Sequence, residues 1–142
     1  MGRKELPRGI RNNNPGNIIK NNYKWQGASK EQHDPRFVTF ETMAHGYRAL
    51  FILLRTYIRK HHLNTIPAII RRYAPYKENN TDAYIRGVLN QIKGTETTEI
   101  RHTDKQQMQA IAKAITLMEN GVYEYDKEME DGWNLYMYDT IV

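Results

Sequence analysis

The residues best suited to binding chemistry lie in one polar stretch near the start of the chain, RGIRNNNPGNI from position 8. It contains four asparagines, Asn12, Asn13, Asn14 and Asn17, together with two glycines and a proline. Asparagine and glycine tolerate left-handed backbone and proline fixes φ, so we predict that the stretch is not a regular helix. Pinned between apolar residues, its amides suit a ligand rich in hydroxyl and amide groups, such as a glycan. The alternative is a loop that caps the next element.

Other side chains narrow the chemistry. The chain has no cysteine, and its five histidines lack the spacing of a metal site, so we predict neither a metal nor another cofactor. Trp25 is suited either to stacking on a sugar face or to filling the core. No apolar run is long enough to cross a membrane, and no signal peptide is visible.

A set of further motifs follows the asparagine-rich string. They are a Trp-x-Gly, a Phe-x-x-Phe, a Gly-x-Arg-Ala, an Arg-Tyr-Ala-Pro and a Glu-Asn-x-Thr-x-Ala-Tyr-Ile segment, at residues 25–27, 37–40, 46–49, 72–75 and 78–85. Together with the string, this set resembles small phage- and prophage-encoded proteins that are often labelled phage structural proteins. The resemblance spans about residues 8–92.

Those proteins are distantly similar to the lysozyme and lytic transglycosylase superfamily, and this likeness implies a fold and an activity. It implies an α+β, mostly helical, lysozyme-like fold, in which a small N-terminal β-region precedes four or more helices. In that superfamily an asparagine-bearing strand lines a peptidoglycan cleft, and a later tyrosine-containing segment closes its far side. The substrate-binding residues expected here are Asn12, Asn13, Asn14, Asn17, Trp25, Tyr73 and Tyr84.

Glycan cleavage of this kind needs a carboxyl group that is protonated near neutral pH and donates to the glycosidic oxygen. The superfamily places this glutamate at the end of a helix just before the asparagine-bearing strands, and no such helix precedes them here. The resemblance points instead to Glu119, because the segment from Ala110 is an apolar, alanine-containing helix ending in Glu-Asn-Gly. The hypothesis is a circularly permuted chain in which Glu119 packs beside the asparagine-rich turn.

Two alternatives accompany this assignment. Glu119 can also be a surface residue before an ordinary Asn-Gly helix end, and Glu41, at a strand-to-helix junction, is the second candidate acid. No paired second carboxylate is evident. This favours a lytic transglycosylase, in which one glutamate works with the substrate's own acetamido group, over a two-carboxylate hydrolase.

Helical periodicity and capping residues define the elements that must position these side chains. We predict one domain over residues 1–142, with a flexible arm at 1–7 and an acidic, aromatic C-terminal segment at 122–142. That segment either packs as a final strand or helix or docks onto a partner. Short strands are expected at 23–27 and 37–40, and helices at 42–61, 66–74, 82–92 and 104–119. The expected caps are Thr42, Thr65, Asn80 or Thr81, a capping box from Thr103, and Gly121.

Charge is divided unevenly along the chain. Residues 1–93 hold 17 Lys and Arg against 6 Asp and Glu, whereas residues 94–142 hold 4 against 10. A basic body attracts polyanions such as nucleic acid, teichoic acid or the anionic stems of peptidoglycan, although an ordinary solvated surface has the same composition. The acidic segment either folds back on that body or binds a basic partner, such as another virion or secretion-machine protein.

Three functional hypotheses remain at this stage. The first is a peptidoglycan-degrading enzyme of phage or prophage origin, virion-associated or held in the bacterial cytoplasm before delivery to the cell wall. The second is a non-catalytic phage structural or peptidoglycan-binding protein with the same fold. Nucleic-acid binding is the least favoured, because the arginines form no evident stripe and the aromatic residues no evident stacking platform.

Overall fold

The structure, a computed structural model, describes residues 6–77 and 79–141 and is built from helices. Residues 1–5 of the predicted arm lie outside this part of the chain. The helices are α1 (Arg8–Arg11), α2 (Met43–Arg59), α3 (Ile66–Tyr73), α4 (Thr81–Gln91), α5 (Lys105–Asn120) and α6 (Asp126–Ile141).

The four predicted helices, α2 to α5, begin where side chains satisfy the free amides of the first turn. The side-chain oxygens of Thr42, Thr65 and Asn80 each accept a hydrogen bond from the backbone amide three residues later, which confirms these N-caps. In α5 the cap is Asp104 rather than the residue before it. Gly121 ends α5 with φ of 75°, the left-handed conformation that a glycine C-cap requires.

The prediction of an α+β fold with a small N-terminal β-region is wrong. Residues 6–77 and 79–141 contain helices joined by loops but no strand, so neither predicted strand is present. A sheet needs a ladder of paired residues, and the loops between α1 and α2 make only isolated antiparallel bridges. These bridges are Ile19–Phe37 and Ala28–Phe40. The lysozyme-like α+β arrangement, and the permuted order derived from it, therefore do not describe this chain.

Side-chain amides reinforce the scattered backbone hydrogen bonds that join these loops. The Asn14 side-chain amide donates to the carbonyl oxygens of Ile18, at 3.0 Å, and Val38, at 2.9 Å. Gln32 binds the backbone of Thr39 in both directions, each time at 2.8 Å. The carbonyl oxygen of Ile18 also accepts from the backbone amide of Val38 at 3.0 Å, so scattered backbone bonds and side-chain amides together close the segment as loops.

A single helical turn begins the asparagine-rich stretch, where we had predicted no regular helix. This turn, α1, has Pro7 as its N-cap, with φ of −53°, and Asn12 as its C-cap. Asn13 and Asn17 then adopt φ of 51°, as expected for asparagine in a tight bend. Apart from Gly9, the residues that disfavour helix thus lie after the first turn.

The core is organised around α2, against which α6 packs along its length. The rings of Trp133 and Tyr136 on α6 lie 5.2 and 5.7 Å from the ring of Phe51 on α2. The two helices approach closely at Gly132, where a Cβ atom would lie 2.6 Å from Cβ of Tyr47. The acidic C-terminal segment therefore folds back on the basic body as a helix, one of the arrangements that the sequence left open.

Candidate functional site

A cleft of about 590 Å³ opens beside the asparagine-rich bend. One wall comes from the loops between α1 and α2 and includes Asn17, Trp25 and Arg36. The other wall comes from α2, α3 and the turn after α3, and Glu119 enters the cleft from the end of α5. The cleft is thus built from parts of the chain that are far apart in sequence, and it combines aromatic, amide and charged groups.

Glu119 is held by one hydrogen bond to each of its oxygens. Oε1 accepts from the side-chain amide of Asn17 at 2.9 Å, and Oε2 accepts from the hydroxyl of Tyr84 at 3.0 Å. The side chain is half-buried, and it is the single carboxylic acid among the described residues that line the cleft. Two fixed donors restrict the carboxylate to one orientation.

The end of α5 is fastened to the bend by the residue after Glu119. The side-chain amide of Asn120 donates to the carbonyl oxygens of Pro15, at 2.9 Å, and Thr116, at 3.2 Å. At Gly9 the approach is so close that a Cβ atom would lie 2.5 Å from Oδ1 of Asn120. This docking carries the carboxylate of Glu119 to the cleft.

Two tyrosines complete the surroundings of Glu119. The Tyr73 hydroxyl donates to the carbonyl oxygen of Gly16, and any side chain at Gly16 would collide with that hydroxyl. Burial, reinforced by the charge of Glu119, raises the pKa of Tyr73 well above its usual value. Burial is also the main cause that raises the pKa of Tyr84, and the neighbouring Tyr73 and Glu119 raise it further. Both hydroxyls therefore stay protonated and act as hydrogen-bond donors.

The four predicted asparagines occupy different positions. Asn17 lines the cleft. Asn12 is buried, with its amide 3.1 Å from an oxygen of Asp34, and Asn13 donates to the carbonyl oxygen of Phe40, also at 3.1 Å. Asn14 is fully buried and bonded within the loops. Three of the four amide groups thus hold the bend together, and one faces the space where a ligand would lie.

The remaining predicted residues divide between the cleft and the surface. Trp25 lines the cleft, and its ring lies 4.4 Å from that of Tyr23. Its indole nitrogen is buried without a hydrogen-bond partner among the residues that the structure describes. Glu41 is exposed and is not a cleft-lining residue. The structure therefore brings Glu119 together with Asn17, Trp25, Tyr73 and Tyr84, and leaves Glu41 apart.

From the sequence we did not identify two arginines and one buried carboxylate that belong to the site or support it. Arg36 and Arg72 line the cleft. The one sequence feature that could have pointed to either of them is the place of Arg72 in the Arg-Tyr-Ala-Pro motif. Asp34 accepts from the Arg8 guanidinium at 2.6 and 2.7 Å and holds the bend in place. The guanidinium of Arg8 is the main reason why the pKa of Asp34 lies well below its usual range. No sequence pattern distinguished this aspartate from an ordinary turn residue.

Neither a metal site nor a membrane-spanning helix is found among the described residues. Over positions 6–77 and 79–141, no cluster of three or more histidine, aspartate or glutamate side chains is arranged to hold a metal ion. Among the helices described, none has both the length and the apolar character needed to cross a bilayer.

The chain is similar in sequence to a known phage protein. No family model matches the chain. The chain is 39% identical over 139 residues to Protein P5 of Pseudoalteromonas phage PM2, an alignment that covers 93% of this chain and 84% of that protein. This similarity confirms the predicted association with phages, whereas the name of the relative states no activity.

Proposed function

The chain belongs to the phage family of Protein P5 of Pseudoalteromonas phage PM2, and on the geometry of its cleft we propose that it cleaves the glycan strands of bacterial peptidoglycan. Glu119 is the proposed general acid. The observation that carries the proposal is the position of its carboxylate, which lies in a cleft of about 590 Å³ and is held by Asn17 and Tyr84. A fixed carboxyl group beside a groove is the arrangement that protonation of a glycosidic oxygen requires.

The walls of the cleft suit a glycan. Trp25 and Tyr57 offer aromatic faces of the kind that pack against sugar rings, and the side chain of Asn17 offers amide chemistry beside the acid. These features support a polymer of N-acetylated sugars as the ligand.

The single carboxylate favours transglycosylation over hydrolysis. In the proposed reaction Glu119 gives its proton to the glycosidic oxygen as the bond from that oxygen to C1 breaks. The acetamido oxygen of the same sugar bonds to C1 and carries the developing charge. A hydroxyl of that sugar then displaces the acetamido oxygen and returns its proton to Glu119. One glutamate thus serves both steps and no water is consumed, in keeping with the absence of a second acid among the described cleft residues.

One observation favours the alternative, a peptidoglycan-binding or structural phage protein without catalysis. Both oxygens of Glu119 accept hydrogen bonds from neutral donors, Asn17 and Tyr84, as the oxygens of a purely structural carboxylate commonly do. A binding protein would keep the aromatic walls of the cleft and need no proton transfer.

Purified, peptidoglycan-only cell walls distinguish these functions. We expect the protein to release soluble glycan fragments, each lighter by one water than the matching hydrolysis product, as seen by mass spectrometry. Fragments that contain the added water would indicate a hydrolase. Sedimentation with the walls without any release would contradict the enzymatic proposal and favour the binding protein.

A further inference from the structure

One long stretch of the sequence contains several basic residues and no acidic residue. Residues 42–77 include seven Lys and Arg and no Asp or Glu. Four basic or titratable residues, Arg59, Lys60, His61 and His62, follow one another where α2 ends and the chain turns toward α3. Arg59, Lys60 and His62 are exposed.

Arg72 on α3 extends this group across to the next helix. Its guanidinium lies 5.5 Å from the centre of the Tyr57 ring, on the last turns of α2. The backbone amide of Leu63 donates to the carbonyl oxygen of Tyr57 at 3.0 Å, so the turn folds back over the same part of α2. Burial lowers the pKa of His61, and the positive charges of Arg72, Lys60 and His62 lower it further. Lys60, His61, His62 and Arg72 thus form one surface, here named the cationic ridge, whereas Arg59 acts on His102 instead.

The position of the cationic ridge indicates its ligand. Cations at the end of a helix also stabilise the helix dipole, which accounts for Lys60 at the end of α2 and equally for Arg72 in the last turn of α3, but not for the place of Arg72 in the cleft. Arg72 is exposed and also lines the cleft beside Glu119, so the ridge begins at the cleft wall. An anion that binds the ridge is therefore best placed if it is attached to the chain lying in the cleft.

We propose that the cationic ridge binds the carboxylates of the peptide stems on the glycan strand whose sugars occupy the cleft. The inference rests on the proposed function and adds a specificity to it: stem-bearing strands are preferred to stem-free strands. Guanidinium and ammonium groups bind carboxylates through charge-assisted hydrogen bonds, and several exposed pairs together give a modest, salt-sensitive gain.

The test compares soluble glycan strands with their peptide stems and the same strands after an amidase has removed the stems. Binding is measured by calorimetry at low salt, and cleavage by chromatography of the products. We expect wild-type protein to bind stem-bearing strands about three- to tenfold more tightly, with the difference shrinking as salt is added. The double variant Lys60→Gln/Arg72→Gln should lose most of this preference. The matched double variant Arg86→Gln/Lys93→Gln, which removes the same charges from exposed positions outside the cleft, should keep it.

Several outcomes would overturn the inference. Equal affinity of wild-type protein for both strands would do so, as would an unchanged preference in the ridge variant. Salt-sensitive binding of duplex DNA that depends on the ridge, without any difference between the two glycans, would instead assign the ridge to nucleic acid. Cleavage of both strands at equal rates would contradict stem recognition by the ridge but not the proposed enzymatic function. A stem preference in binding without any cleavage would keep the ridge and reject the enzyme.

Discussion

The carboxylate of Glu119 accepts a hydrogen bond of 2.9 Å from the side-chain amide of Asn17, a residue that lies 102 positions earlier in the chain. The contact joins the end of α5 to the asparagine-rich bend, the two segments that the sequence singled out for different reasons. Because both groups lie at the cleft, changes at this contact affect function more directly than changes elsewhere in the core.

Removal of the Tyr84 hydroxyl tests whether this residue positions the acid. Tyr84→Phe keeps the buried ring but removes the donor to Oε2 of Glu119. A hydrogen bond to a charged group contributes about 1.5–3 kcal/mol, so we expect kcat to fall at least about tenfold. KM should change little, because Tyr84 is buried behind the acid rather than lining the cleft. Steady-state kinetics on soluble glycan strands measure both values. A rise in KM with unchanged kcat would contradict the positioning role.

Replacement of Gly9 by alanine tests the docking of α5 on the bend. The new Cβ atom would lie 2.5 Å from Oδ1 of Asn120, 2.8 Å from the carbonyl oxygen of Asn14 and 2.9 Å from Oδ1 of Asn17. Forcing an atom into such a site typically costs about 1–3 kcal/mol, and we expect a loss of unfolding free energy in that range in urea denaturation.

Gly94→Ala is the control for that experiment. There the new Cβ atom would be 3.0 Å from the flexible hydroxyl of Thr98, in an exposed segment. We expect its effect on the unfolding free energy to be within about 0.5 kcal/mol. Equal effects of the two substitutions would show that the close contact at Gly9 does not hold the bend.

Asp34 makes the stability of the bend depend on pH. Because the pKa of Asp34 is depressed in the folded protein, its contribution is present above the unfolded value of about 4 and is lost as pH falls through the folded value. Asp34→Asn should therefore lower the unfolding free energy at pH 7 by about 1–2 kcal/mol, a figure discounted because the side chain of Arg8 is 43% exposed. The unfolding free energies of the two proteins should begin to approach each other below about pH 4 and become equal only as pH falls through the folded value.

Urea unfolding followed by tryptophan fluorescence at several pH values measures these curves. The control is Asp131→Asn, which removes an exposed ion pair of 3.0 Å with Lys127 one turn away on α6. Such pairs contribute little, so this substitution should leave the pH dependence nearly unchanged. Parallel curves for Asp34→Asn and wild-type protein would contradict the assignment.

Helices α2 to α5 were predictable because their signals are local. Thr42 and Thr65 cap their own helices, Gly121 terminates its own helix, and apolar residues repeat at helical spacing between them. The β-region was mispredicted because alternation in a short segment does not reveal where the backbone hydrogen bonds go. In the structure those bonds are scattered over several loops, and the side chains of Asn14 and Gln32 add to them. No propensity rule assigns that role to a particular side chain.

The candidate site was only partly predictable for a similar reason. The motifs drew attention to Asn17 and Glu119, but they gave the same weight to Asn12 and Asn14, whose amides are used inside the bend. Which asparagine faces the cleft depends on the φ of 51° at Asn13 and at Asn17, and residue type does not determine that angle. The cleft position of Arg72 depends on how α3 packs against α2, which is a tertiary property.

The most direct measurement is the release of glycan fragments from purified cell walls by wild-type protein, Glu119→Gln and Glu41→Gln at equal folded concentration. Glutamine keeps the shape of the side chain at either position but cannot donate an acidic proton. We predict that Glu119→Gln loses at least about a hundredfold of the rate, the usual contribution of a general acid. Glu41→Gln, at an exposed position outside the cleft, should release fragments at the wild-type rate. Equal rates for Glu119→Gln and wild-type protein would contradict the proposed role of Glu119.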